Sequence, residues 1–258
     1  MNFSSLKQIT WYAVRPKQYI TLFHKVLNKL TEKRHPSDEQ VVAWCEAHAL
    51  STQECLEQLI GKPFTPSFSV EQAEEIQKAQ ARVDTCPARM GGGGDLELLY
   101  QLCNHLRART VLETGVAYGW SSFAILSSLA KRGGTLISID LPYPNLNAED
   151  FVGCAIPEAL KTHWMLKRGS DRSLLKKVIS SGPFDLCHYD SDKSYRGRMW
   201  AYPLLWNALK PDGLFLSDDV SDNRAFKDFC EELQQEPIII RFKQATTTKY
   251  IGCLQKPL

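Results

Sequence analysis

The stretch Val111-Leu-Glu-Thr-Gly-Val-Ala-Tyr-Gly-Trp-Ser-Ser122 decides how the rest of this chain is read. An apolar run, Thr110 to Leu112, ends in Glu113; Gly115 and Gly119 bracket a tight turn; Ser121 and Ser122 open an apolar-periodic segment. That order predicts a strand, a glycine loop and a helix N-terminus. Such a junction leaves backbone N–H groups free at the helix start, and glycine lets a ligand approach the chain closely. The next predicted strand, Thr135 to Asp140, ends in a carboxylate, where the first unit of an α/β sheet puts an acid able to hydrogen-bond ribose hydroxyls. The loop is not a dinucleotide fingerprint: Ala117 stands at the middle position of G-x-G-x-x-G, and an acid lies two residues before its first glycine.

Outward from this stretch, apolar strands alternate with helical patterns from about residue 95 onward, as in a parallel sheet flanked by helices. Asp95 precedes a helical face at Leu96, Leu99, Cys103 and Leu106. Strands are predicted at 110–114, 135–140, 165–169, 184–189 and 213–217. Two late runs, 237–242 and 247–253, are joined by too few residues for a crossover helix and must form an antiparallel hairpin. Residues 1–87 read as a helical addition, with helices expected behind Pro16, around 38–49, from Ser51 (where Glu54 completes a capping box) and over 71–83. Residues 88–258 form the second unit.

The chemistry-bearing residues lie at predicted strand ends. The fourth strand runs into Asp190-Ser-Asp192-Lys193, and the fifth into Ser217-Asp218-Asp219. Neighbouring parallel strands deliver their carboxyl ends to one crevice, so Asp190, Asp218 and Asp219 are expected to converge. Carboxylates that close repel unless something positive neutralises them, and an all-oxygen site suits Mg²⁺ or a similar hard cation rather than zinc. His188, inside the fourth strand, reads as a satisfied core histidine.

E-x-G-x-x-x-G over residues 113–119 resembles motif I of the class I S-adenosylmethionine-dependent methyltransferases. The segments LETGVAYGWSS, ISIDLP, HYDSDKSY and LKPDGLFLSDD resemble the metal-dependent O-methyltransferases of the catechol and macrocin types and the group that includes cephalosporin-hydroxylase-like proteins. The resemblance covers residues 88–235. It implies a Rossmann-like, seven-stranded methyltransferase sheet whose last strands form the hairpin, and S-adenosyl-L-methionine as cofactor. Glu113, Gly115, Gly119 and Ser121 would meet that cofactor at the glycine loop, Asp140 its ribose, and Ser170 or Asp171 its adenine.

The same resemblance makes Asp190, Asp218 and Asp219 ligands of Mg²⁺. It leaves the base between Lys193, the first choice, and Asp192; many relatives have His where this chain has Lys193. The implied reaction is O-methylation of a small hydroxylated acceptor, such as a sugar, diol or phenol. A hydroxylase-like metal protein and a non-catalytic cofactor-binding module of the same fold share these features.

A net charge of +2 over 258 residues gives no case for a nucleic-acid partner. The eight cysteines form no C-x-x-C pair and read as thiols of a reducing compartment, so a cytoplasmic protein is expected. No run is long enough to span a bilayer. Residues 1–34 carry Lys7, Arg15, Lys17, Lys25, Lys29, Lys33 and Arg34 against Glu32, a pattern open to membrane-surface contact. The apolar face Tyr19, Leu22, Phe23, Val26, Leu27 and Leu30 is expected to be buried, as a lid over the acceptor or a homo-oligomer interface.

Overall fold

In a computed structural model the described residues are 39–258, apart from 64, 144–147 and 245, together with Tyr12, Arg15, Tyr19, Leu22 and Phe23. The elements are α1 (Glu39–His48), β1 (Ala49–Ser51), α2 (Thr52–Ile60), α3 (Phe68–Glu71), α4 (Ala73–Asp84), α5 (Leu96–His105), β2 (Thr110–Thr114), α6 (Trp120–Leu129), β3 (Thr135–Asp140) and β4 (Trp164–Arg168). They continue with α7 (Asp171–Val178), β5 (Phe184–Tyr189), α8 (Tyr195–Asn207), β6 (Leu209–Ser217), α9 (Ala225–Leu233), β7 (Ile238–Gln244) and β8 (Thr247–Gln255).

The sheet order is β1-β7-β8-β6-β5-β2-β3-β4. β8 runs antiparallel to both β6 and β7, which makes the expected hairpin, and the other neighbours are parallel. The eighth strand is β1, with Ala49 opposite Ile239. β2, β3 and β5 are covered on both faces and so read as nearly continuous apolar runs. β4 lies at the edge and exposes alternate residues, Met165 and Lys167.

Helix starts are capped by side chains, with the predicted capping box among them. Ser51 and Glu54 exchange both capping-box bonds, Asp95 accepts from the Leu98 N–H and Ser194 from that of Gly197. One sheet face packs Val41 and Cys45 of α1, Leu175 of α7, Tyr202 of α8 and Phe229 of α9. The other packs Cys55 and Leu56 of α2, Phe68 of α3, Leu98 of α5 and Phe123 of α6. Residues 39–71 thus divide between the two faces and add an edge strand. The eight cysteines are free thiols. No helix among the described residues is long and apolar enough to cross a membrane.

Of the N-terminal apolar face, Tyr19 and Phe23 are exposed on the single chain, whereas Tyr12, outside that face, is buried. Val26, Leu27 and Leu30 lie outside the described residues.

Hydrogen bonds at the strand ends carry the ladder into the loops. Gly115 N–H donates to Ile139 O (2.8 Å), Asp190 N–H to Thr114 O (2.8 Å), Asp218 N–H to Tyr189 O (3.0 Å) and Gly169 N–H to Asp140 O (2.9 Å). Four loops are therefore fixed side by side at the carboxyl edge. The chain builds β2-β3-β4 outward and returns to place β5 on the other side of β2, so the crevice opens at this reversal.

Candidate active site

A cavity of about 810 Å³ occupies that crevice. Its first half is walled by Gly115, Val116, Ala117 and Ser121 after β2, by Asp140 and Tyr143 after β3, and by Ser170 and Asp171 after β4. Gly115 takes φ +86°, and a Cβ there would stand 2.3 Å from the carbonyl oxygen of Asp190. Glycine is thus required for the β2 and β5 loops to touch. Asp140 is almost fully buried and pairs with Arg168 Nη1 at 2.7 Å. Burial outweighs Arg168 and raises the Asp140 pKa to about 6. Asp171 accepts from Ser191 Oγ at 2.6 Å and is likewise raised by burial, to about 6. Ser170 stands at the N-cap of α7 without a side-chain cap bond, its hydroxyl turned to Ser173 Oγ.

Two residues expected on the cofactor stand behind the wall. Glu113 is fully buried and accepts from Ser121 Oγ (2.6 Å), Ser122 Oγ (2.5 Å) and Ser138 Oγ (2.8 Å). It clamps the start of α6 to β2 and β3, while Ser121 also reaches the cavity. Gly119, at φ +85°, lies against Gly153, whose Cα would be 2.8 Å from an added Cβ. Its glycine is required for packing.

The second half of the cavity holds Asp190, Asp192, Lys193, Asp218 and Asp219, with Phe242, Gln244 and Lys249 from the hairpin and Gly91, Gly92 and Gly94 from the glycine run. The three carboxylates expected to converge do share this wall. Asp190 and Asp219 face lysine ammonium groups, and Asp218 faces His188. Lys193 Nζ donates to Asp190 Oδ1 and stands 3.1 Å from Asp219 Oδ2; Lys249 Nζ donates to Asp219 Oδ1 at 2.6 Å; His188 Nε2 lies 3.4 Å from Asp218 Oδ1.

Burial alone would depress the Lys193 pKa, but Asp190 and Asp219 hold the ammonium above its ordinary range. Burial would also depress His188, yet Asp218 and Glu113, the carboxylates on either side of the ring, raise it to about 10. Burial and Asp218 raise Asp190 to about 6 against the pull of Lys193. Asp219 is lowered despite burial, by Lys193 and Lys249. Arg198, fully buried, donates to the carbonyls of Asp218 and Asp219 (3.2 and 2.9 Å) and fixes this loop.

This arrangement bears on both roles assigned from sequence. The Lys193 ammonium donates to carboxylates and, while protonated, has no lone pair to accept a proton. One Asp192 oxygen accepts from Ser194 N–H at 3.0 Å, and the side chain packs against Gly197 at the start of α8. As for Mg²⁺, Lys193 engages Asp190 Oδ1, Lys193 and Lys249 engage both oxygens of Asp219, and His188 lies against Asp218 Oδ1. Among the described residues no group of three His, Cys, Asp or Glu side chains is placed to hold a metal. As arranged, Asp190, Asp218 and Asp219 do not fit a divalent cation.

Sequence reasoning passed over Lys249 and Arg168. Lys249 sits on β8, and nothing near it in sequence marks it as the partner of Asp219. Arg168, at the end of β4, could have been found from register, since it lies opposite Asp140 across the sheet.

The comparisons agree with this topology. Residues 112–220 match the family model described as a methyltransferase domain. Cofactor-bound Rv0187 from MTB is similar in structure, with a TM-score of 0.60 and 16% identity, over 76% of this chain and 100% of that one. An O-methyltransferase from Bacillus cereus in complex with SAH gives 0.56 and 17%, over 82% and 100%. The O-methyltransferase TomG from Streptomyces achromogenes, involved in tomaymycin synthesis and solved in complex with SAM, gives 0.52 and 15%, over 82% and 98%. No curated protein matches the chain.

Proposed function

From a chain that has the class I methyltransferase fold and carries a methyltransferase domain, we infer an S-adenosylmethionine-dependent O-methyltransferase acting on a hydroxyl of a small molecule. The observation that carries the reading is the single cavity divided between a glycine-and-carboxylate wall (Gly115, Asp140, Asp171) and an acid–lysine wall (Asp192, Lys193, Asp219, Lys249). The first wall supplies what a nucleoside-bearing cofactor needs: close backbone approach at Gly115, a buried carboxylate for ribose hydroxyls at Asp140, and polar groups at Ser170 and Asp171 for the base. The second supplies what methylation of a hydroxyl needs. Transfer from a sulfonium requires an oxygen nucleophile held in line with the S–CH₃ bond and relieved of its proton. Asp192 accepts that proton and Lys193 donates to the oxygen.

Both reactants share one enclosure, so the chain's contribution is chiefly alignment. The experiment is a methyl-donor assay with labelled S-adenosylmethionine against a panel of sugars, diols and phenols, with Mg²⁺ and with chelator. Label transferred to a hydroxyl supports the reading. Calorimetry showing no binding of S-adenosylmethionine or S-adenosylhomocysteine at millimolar concentration removes it.

A further inference from the structure

We propose that Lys193, seconded by Lys249, is the resident cation of this active site and takes the place that a divalent metal ion would hold among Asp190, Asp218 and Asp219. The proposal rests on the methyltransferase reading above and names the charge that serves it. Lys193 Nζ contacts Asp190 and Asp219 together, and Lys249 contacts the second oxygen of Asp219. Two ammonium groups of the chain itself thus meet Asp190 and Asp219, and His188 lies against Asp218. An added divalent ion would have to compete with both ammonium groups for the oxygens of Asp190 and Asp219 that they already engage.

A lysine ammonium has three donors. Two of those on Lys193 are engaged by Asp190 and Asp219, and the third is available to an acceptor oxygen in the cavity that Lys193 lines. The step then balances within the pocket. The acceptor O–H gives its proton to the Asp192 carboxylate, and the oxygen lone pair forms the new O–CH₃ bond. The S–CH₃ bond breaks with its electron pair to sulfur, leaving an ether and S-adenosylhomocysteine. Asp192 passes the proton to water, while Lys193 keeps its own protons throughout and stabilises the developing charge on oxygen.

Mn²⁺ titration followed by electron paramagnetic resonance tests this without needing an acceptor. The full-length protein, loaded with S-adenosylhomocysteine, is expected to leave millimolar Mn²⁺ free. Lys193→Met/Lys249→Met, which strips two cations from three carboxylates, is expected to bind one ion at least tenfold more tightly than the parent, and Lys193→Arg to behave as the parent. In the methyl-donor assay chelator should leave parental turnover unchanged.

Mn²⁺ bound by the parent and lost in Asp190→Asn overturns the proposal. So does parental turnover that chelator abolishes and Mg²⁺ restores, or a folded double variant that gains no ion. If the double variant does not fold, the parental titration decides alone. Failure of cofactor binding is read separately by calorimetry and strikes the methyltransferase reading, whereas bound Mn²⁺ strikes only the resident cation.

Discussion

The two halves of the cavity hold their carboxylates in opposite ways. For Asp140, despite its ion pair with Arg168, and for Asp171, burial dominates, and their pKa values rise to about 6. Asp219 is kept by direct ion pairs with two lysines, and its pKa falls despite burial. The first half is a wall of backbone and buried acids, each with one polar side-chain partner. The second is a charge-compensated cluster that meets an acceptor with an ammonium. Cofactor affinity should therefore depend on the first half and turnover on the second.

The largest effect is expected from Asp192→Asn. Asparagine keeps an oxygen for the Ser194 N–H and the packing on Gly197, but has no carboxylate for the acceptor proton. Loss of a positioned general base lowers turnover by roughly 10²- to 10⁴-fold. Cofactor affinity measured by calorimetry should stay within about twofold of the parent. A comparable drop in affinity would merge the two halves.

Next comes Gly115→Ala, at the seam between the halves. The new Cβ would stand 2.3 Å from the backbone oxygen of Asp190, at a φ of +86° that L-residues resist. Left-handed backbone and overpacking against the main chain together cost about 2–5 kcal/mol of stability. Denaturant unfolding should show that loss. A variant as stable as the parent would mean that the β2 and β5 loops are not locked together.

How much of this was legible in the sequence follows from the same contrast. β2, β3 and β5 are buried on both faces, so each reads as an apolar run stopped by a loop, and Asp140 and Asp190 were placed at the crevice by that alone. β1 escaped notice because three residues, Ala-Leu-Ser, are too short to show any period; its pairing with β7 is a tertiary fact. The start of β6 was hidden by Lys210-Pro-Asp-Gly213, a turn-like string with Asp212 at φ +65°. Glycine and acid positions in the loop were legible, but their jobs were not. Glu113 and Gly119 serve packing behind the wall, and spacing along a chain does not distinguish a residue facing a ligand from one facing Gly153 or Ser138. The partners of Asp219, Lys193 and Lys249, come from two distant segments, so spacing along the chain does not show that lysines meet this carboxylate.

Asp140→Ala probes the first half in isolation. It removes a charged acceptor for ribose hydroxyls, worth about 1.5–3 kcal/mol, or roughly 10- to 150-fold in cofactor affinity. It also leaves Arg168 with Glu149, 2.6 Å from Arg168 Nη2, as its remaining carboxylate partner. With cofactor saturating, turnover should recover most of the parental value. A variant that binds normally would assign the ribose to another residue.

The smallest effect is a pH dependence with two opposite signs. With its pKa raised to about 6, Asp140 is mostly ionised at neutral pH and mostly protonated one unit below that value. If the ionised carboxylate is the form that binds ribose, affinity for S-adenosylmethionine falls about tenfold between pH 7 and 5. Stability of the cofactor-free protein responds in the other direction. A carboxyl group whose folded pKa lies above its unfolded value of 3.8 binds its proton more tightly when folded. Ionisation therefore costs stability at neutral pH, and that cost is relieved as pH falls through about 6 toward the unfolded value. Asp171, raised to about 6, adds to this trend. Calorimetric affinity and the melting temperature of Asp140→Asn against the parent, both followed from pH 7 to 5, separate the two effects. The variant should bind weakly at every pH with a flattened profile, and its stability should change less over the window. An unchanged slope in affinity would move the titrating group to Asp171, and with it the boundary of the cofactor half.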